Sequence, residues 1–405
     1  MIKSSHKKFN GNELRYIKQS LDNGLKSSKE GSFNLRLENL WSKFHNIKHS
    51  ITINSCTSAL HVSLLAMGVK KGDEILVPSL TPIMCGTSIH FTGATPVYVD
   101  VNKETFLMCP SDLEKKITNK TKGLILVHMY GGINNIKLFH KIAKKYKIFV
   151  IEDCAEALGA KDQDGILAGS TSDINCWSFQ SAKHITCGDG GIISTNNKNI
   201  AIKLRKFSNL GFKFLNANSG QVGLTKYQRQ DPKFKRFDEI GFNYRLNEFS
   251  AAIALAQFEK LKKFLNLRRK MGFEIEKLVK NCSFLESQKI FRNTYSTYYT
   301  AAVKITNRKV KWQTFKKMFI KNGGKDGIYA AAQLLQNEPI IQKKSIGKCF
   351  KNCKVNCVRN CIGTPNSKNL QKSLLLFTTN QNSELEIKKQ ATALKKTISY
   401  FDSLI

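Results

Sequence analysis

The chain has 405 residues, 41% of them hydrophobic, and carries 65 Lys and Arg against 30 Asp and Glu, a formal charge of +35. That length and apolar content allow two or three lobes around sizeable cores, and no apolar run reaches the length of a membrane span. The basic start, Met1 to Lys8, has no apolar segment after it, and eleven cysteines scattered along the chain do not read as a disulfide framework, so the cytoplasm is the expected compartment.

In chain order, Glu13 to Leu25 reads as a helix, followed by a polar stretch ending near Gly31. Ile51-Thr52-Ile53 is a strand, and Thr57 to Met67 is a helix ended by Gly68. Strands are expected at Glu74 to Val77, Pro96 to Val101, Gly123 to His128 and Ile148 to Ile151, with helical spacing from Asn135 to Lys145. Ile174 to Trp177 and Ile192 to Ser194 are further strand-like runs. Phe249 to Lys263 begins a long helix, after which Thr297 to Ile305 and Ser373 to Thr378 are strand candidates and Leu385 to Phe401 a closing helix. Continuous apolar strands separated by amphipathic helices predict an α/β fold with a mostly parallel sheet covered on both faces. The expected division is a helical segment over 1–30, a large domain over 31–262 and a smaller C-terminal α/β domain over 263–405.

Two segments carry the chemistry. In Ser178-Phe179-Gln180-Ser181-Ala182-Lys183-His184-Ile185-Thr186-Cys187-Gly188-Asp189-Gly190-Gly191, a single lysine sits between an apolar strand and a glycine-rich turn. Partial desolvation is expected to lower its pKa, leaving a free amine able to form a Schiff base with an aldehyde. Thirty residues earlier, Phe149-Val150-Ile151-Glu152-Asp153 delivers a carboxylate to the C-terminal end of a strand, where open α/β sheets place their ligands. Pyridoxal phosphate needs both groups: a Schiff-base lysine, and an acid for its ring nitrogen. A surface lysine and a carboxylate that merely caps a helix are the bland alternatives for each taken alone.

The order Asn54-Ser55-Cys56-Thr57-Ser58-Ala59-Leu60, Glu152-Asp153-Cys154-Ala155-Glu156-Ala157, Ser178-Phe179 with Lys183 and Gly188-Asp189-Gly190-Gly191, then Gly241-Phe242-Asn243-Tyr244-Arg245 resembles the DegT/DnrJ/EryC1/StrS family. The likeness is good over residues 30 to 265 and poor in the C-terminal third. It implies fold type I and dependence on pyridoxal 5'-phosphate. It further implies a homodimer that moves an amino group, usually from glutamate, onto a keto group of a nucleotide-linked sugar. Residue by residue, it implies Lys183 as the cofactor's lysine and Asp153 as the partner of the ring nitrogen. Thr57, Ser58 and Ser178 become phosphate ligands, Glu156 a neighbour of the ring oxygen, and Asn243 a phosphate ligand supplied by the partner subunit. Thr57 and Ser58 also suit simple helix capping, Glu156 an exposed helix face one turn after Asp153, and Asn243 a turn. Cys56 stands where the family usually has Gly, and Pro82 where it commonly stacks an aromatic on the pyridine ring. A dehydratase branch of the family has His where Lys183 stands; a non-catalytic relative would lack Lys183 or Asp153.

The net charge fits biased composition, steering of an anionic nucleotide-sugar, or nucleic-acid binding, but the lysines are dispersed and no recognised nucleic-acid motif appears. Cys349, Cys353, Cys357 and Cys361 recur every fourth residue, a spacing that does not match the paired C-x₂-C of metal sites and suits a helical stripe. No metal is expected.

Overall fold

The computed structural model describes residues 8–26, 31–325, 327–330, 332–342 and 363–405. Seven strands form one sheet: β1 (His49–Ile53), β2 (Glu74–Pro78), β3 (Thr95–Val99), β4 (Thr121–Val127), β5 (Phe149–Asp153), β6 (Ile174–Ser178) and β7 (Gly191–Thr195). Their order is β1-β7-β6-β5-β4-β2-β3. Every neighbouring pair is parallel except those made by β7, which runs against both β1 and β6.

Both faces of this sheet are covered, and the strand sequences show why. Along β4 and β5, Ile125 and Ile151 enter one apolar core, while Leu124, Leu126 and Val150 enter another on the opposite face. A strand buried on both sides needs a continuous apolar run rather than alternation. Trp41, on the helix Phe33–His45, packs edge-on against Trp177 of β6 at 5.2 Å and against Phe179 at 5.4 Å. That core supports the segment leading to Lys183.

A second, antiparallel sheet contains β8 (Leu285–Ser287), β9 (Thr300–Ile305), β10 (Ile328–Tyr329) and β11 (Leu374–Thr378), ordered β10-β11-β9-β8. Its core is aromatic, with Phe284, Phe315, Phe377 and Phe401 buried together beneath the closing helix Glu384–Asp402. The expected strands Thr297 to Ile305 and Ser373 to Thr378 and the closing helix correspond to these elements, the strands starting three residues and one residue later and the helix extending one residue further at each end.

Three expectations change. The first helix ends at Asp22, because Gly24 takes a left-handed conformation (φ +64°) and closes it early. The helix expected from Phe249 to Lys263 is two helices, Glu248–Phe258 and Leu261–Lys280, broken at Glu259-Lys260. The helices Phe33–His45, Ile83–Phe91, Pro110–Lys115 and Lys198–Ser208 add to those read from sequence. Among the described residues no helix is long and apolar enough to cross a membrane. The four-cysteine run at Cys349, Cys353, Cys357 and Cys361 lies outside the described residues, and the seven described cysteines are free thiols.

Candidate active site

Lys183 lies in the turn after β6, its backbone N–H donating to Gln180 O at 2.9 Å. Its Nζ donates to Glu156 Oε1 at 3.3 Å and sits 4.3 Å from the centroid of the Tyr299 ring, a cation–π distance. Glu156 is fixed in turn by Tyr130 N–H, which donates to Oε2 at 3.0 Å. Lys183, Glu156 and Tyr299 come from three places: the turn after β6, the turn after β5, and the residue just before β9 in the second sheet. Gly131 lets the last of these approach. It has φ +88°, and a Cβ there would fall 2.3 Å from Tyr298 N.

The charge state of Lys183 departs from the sequence expectation. Burial pulls its pKa down, as anticipated, but the charge of Glu156, then of Tyr299 and Asp153, more than offsets it. The ammonium is held above the ordinary lysine value. The sequence shows the desolvation but not the carboxylate folded against it. The free amine must therefore be generated by losing a proton, and Glu156 is placed to take it. Glu156→Gln removes the largest raising influence, so the pH profile for capture of pyridoxal phosphate by the apoprotein, trapped with borohydride, should move to lower pH. An unmoved profile, or one moved upward, would separate Glu156 from the charge of Lys183.

Asp153 ends β5, where its register partners are Val127 on β4 and Cys176 on β6, and only 4% of it is exposed. No helix follows it. Residues 154–156 form a turn in which Asp153 Oδ1 accepts Ala155 N–H at 3.0 Å, so the helix-cap alternative does not hold. The same turn, rather than one helical turn, brings Glu156 back toward Lys183. The other contacts of Asp153 are thiols: Cys56 Sγ at 3.8 Å from Oδ1 and Cys85 Sγ at 3.3 Å from Oδ2. No cation among the described residues pairs with it. A buried carboxylate served by one amide and two weak S–H donors retains unused acceptor capacity.

The adjacent Glu152 points elsewhere and is fully engaged. It takes His128 Nε2 at 2.8 Å, Gly169 N–H at 2.8 Å and Ser172 Oγ at 2.6 Å. With Cys154 these groups have metal-ligand proximity, but His128 Nδ1 already accepts Asn134 N–H at 3.2 Å. They form a structural network tying β4 to β5.

Thr57 and Ser58 lie in the first turn of the helix Cys56–Ala66, with Ser55 as N-cap accepting Ser58 N–H at 3.1 Å. Backbone N–H groups in the first turn of a helix have no partner within the helix, which suits an anion there. Ser178 closes β6 opposite Gly191, where a Cβ would lie 3.0 Å from Cys56 N, so glycine lets β7 reach the helix start. Thr57, Ser58 and Ser178 are thereby gathered at one end of the sheet. Asn243 makes no hydrogen bond to them among the described residues, although its neighbour Tyr244 accepts Asn54 N–H at 2.8 Å. Asn243 is exposed, in a bridge with Asn209. Pro82 is the N-cap of the helix Ile83–Phe91 and brings no aromatic ring. Tyr299 was missed by sequence reasoning. The only local signal was the aromatic pair Tyr298-Tyr299 at the start of an expected strand, which does not indicate that its ring reaches Lys183.

A sequence model of the DegT/DnrJ/EryC1/StrS aminotransferase family matches residues 7–371. The chain belongs to that family. It is 36% identical over 293 residues to the GDP-perosamine synthase of Escherichia coli O157:H7, covering 72% of this chain and 75% of the relative. It is 38% identical over 275 residues to that of Caulobacter vibrioides, covering 67% and 69%. Among solved structures, an aminotransferase from Psychrobacter cryohalolentis superposes with a TM-score of 0.81 at 23% identity, covering 96% of this chain and 97% of its own, which shows the fold.

The protein is thus an aminotransferase that uses pyridoxal phosphate. The residues present fit that group. A single amine stands beside a base, a buried carboxylate retains acceptor capacity, and a helix start carries three hydroxyls on Ser55, Thr57 and Ser58.

Proposed function

We propose that this aminotransferase moves an amino group from glutamate onto a keto group of a GDP-linked sugar. Its resemblance to two relatives named for GDP-perosamine synthesis carries the sugar and the nucleotide. The lysine at position 183 carries the reaction type, because the dehydratase branch of the family has His there and resembles this chain less.

When bound, pyridoxal phosphate supplies an aldehyde and a ring able to accept electrons from a substrate carbon. Lys183 would hold it through that aldehyde; once released by the incoming amine, Nζ would move the proton to and from the substrate carbon as general base and acid. Glu156, 3.3 Å away, would take up and return the proton that Nζ must shed. Asp153 would hold the proton of the ring nitrogen, and Thr57, Ser58 and Ser178 would bind the phosphate. Tyr299 would shield the amine from water. We also take the division at 31–262 and 263–405 as a cofactor domain and a small domain, which the two separate sheets support. A cytoplasmic setting is supported by the free thiols.

Purified protein given glutamate and a GDP-linked keto sugar should convert it to the amino sugar with an equal amount of 2-oxoglutarate, read by mass spectrometry. A product that has lost a hydroxyl and gained no nitrogen would replace this reading with dehydration.

A homodimer completes the site in this reading. Asn243 lies on a segment that exposes Tyr227 at 76%, Phe237 at 55% and Ile240 at 90%, apolar surface suited to cover by a second copy. Mixing Lys183→Ala with an Asn243 variant that binds cofactor poorly should regenerate one intact site per heterodimer, pairing one chain's lysine with the other's asparagine. Activity should rise above either variant alone once subunits exchange. Demonstrated exchange without recovery would confine Asn243 to its own subunit.

A further inference from the structure

Arg268, on the helix Leu261–Lys280, is 4% exposed and has no carboxylate within ion-pairing distance among the described residues. Its guanidinium donates to four neutral oxygens: Tyr299 O at 2.8 Å, Thr379 Oγ1 at 3.1 Å, Ala182 O at 3.1 Å and Lys183 O at 3.3 Å. Lys8 Nζ also donates to Lys183 O, at 3.2 Å. Two cations therefore converge on the backbone carbonyl of Lys183, and among the described residues neither has a carboxylate within ion-pairing distance. Buried charges are ordinarily paired, because an uncompensated one costs several kcal/mol after relaxation.

Beside them lies a half-enclosed cavity of about 140 Å³ lined by Lys8, Arg268, Lys263, His184 and Gln381, among others, with no carboxylate in its wall. A single water needs on the order of 10–15 Å³ by a comparable measure, so the space admits a larger guest. His184 is 1% exposed and neither ring nitrogen makes a well-formed hydrogen bond; Gln381 Oε1 is likewise unpartnered. Burial, with Arg268, Lys183 and Lys8 nearby, keeps His184 neutral. Burial and the like charges of Arg268 and Lys260 bring Lys8 down to about 8. Lys260 differs in being paired, with Glu13.

We propose that this cavity, set against the backbone of the Lys183 turn, is an oxyanion site that takes a phosphate group, free or carried by a nucleotide. Three cations, Lys8 from the N-terminal segment and Lys263 and Arg268 from the helix Leu261–Lys280, and no acid suit a dianion better than a single carboxylate, and ammonium and guanidinium donors both bind phosphate through charge-assisted hydrogen bonds. The bound anion would compensate Arg268 and Lys8 together and so fix the carbonyl of Lys183 that both hold.

The test uses protein loaded with pyridoxal phosphate and reduced with borohydride, so that the cofactor's own phosphate cradle is filled and cannot exchange. Calorimetric titration with inorganic phosphate should give one saturable site per chain. Lys8→Gln with Lys263→Gln should weaken it by roughly tenfold or more, as expected for lost charge-assisted hydrogen bonds. Lys8→Arg should retain it, and the exposed pair Lys389→Gln with Lys396→Gln should leave it unchanged. GDP that displaces phosphate assigns the site to a nucleotide, an arm that rests on the substrate proposed above. Phosphate that stays bound beside GDP assigns it to the free ion, which does not depend on that substrate. Absence of a saturable site, or binding equally strong in a folded Lys8→Gln/Lys263→Gln protein, overturns the proposal.

Discussion

Lys183→Ala is expected to lower transamination by at least about 10³-fold, because the variant loses both the amine that bonds the cofactor and the acid–base group that moves the substrate proton. The parent, reduced with borohydride in the presence of pyridoxal phosphate, should yield one modified peptide, and that peptide should contain Lys183. The variant should yield none. Its fold should persist, since the Lys183 side chain makes one ion pair and one ring contact rather than filling a core. The Glu156 carboxylate left without its partner keeps only Tyr130 N–H among the described residues, so a stability loss of about 1–3 kcal/mol is expected. A small primary amine added to the variant should restore part of the rate. Capture of the cofactor at another lysine, with turnover intact, would remove Lys183 from the centre of the site.

How far the sequence reveals this site depends on whether its parts are local. Lys183 and Asp153 are legible because each sits at the edge of a strand whose apolar run is unmistakable, and because the family resemblance rests on contiguous motifs. Strands β4 and β5 could be placed for the same reason: burial on both faces writes Leu124 to Val127 and Val150-Ile151 as continuous apolar sequence. The helix Ile83–Phe91 was harder to see, since it contains Gly86 and has no polar face. What the chain could not show are contacts made by distant segments. The sign of the Lys183 pKa turns on the distance to Glu156, and on Tyr299, which arrives from another sheet through the close approach at Gly131. Arg268 reads as one of several basic residues on an amphipathic helix, and only the fold shows that it is buried against the Lys183 carbonyl.

Asp153→Asn separates charge from shape. Asparagine has nearly the same volume, and its amide oxygen can still accept Ala155 N–H as Asp153 Oδ1 does at 3.0 Å, so the turn after β5 should survive. The thiols of Cys56 and Cys85 are weak donors, and losing a charged acceptor costs them little. The melting temperature and the fraction of Lys183 that captures cofactor should therefore stay close to the parent. The rate should not. A neutral amide cannot hold the ring nitrogen protonated by charge, so electron withdrawal from the substrate carbon weakens, and a loss of roughly 10²–10³-fold is expected, comparable to removing one preorganised electrostatic group from an active site. Asp153→Glu keeps the charge but displaces it, and should fall between the two. The bound cofactor's spectrum provides a second measure, because in Asp153→Asn its ring nitrogen should lose its proton at a lower pH than in the parent. Parent-like turnover in a variant that has lost this protonation would show that the carboxylate at the end of β5 serves only the turn.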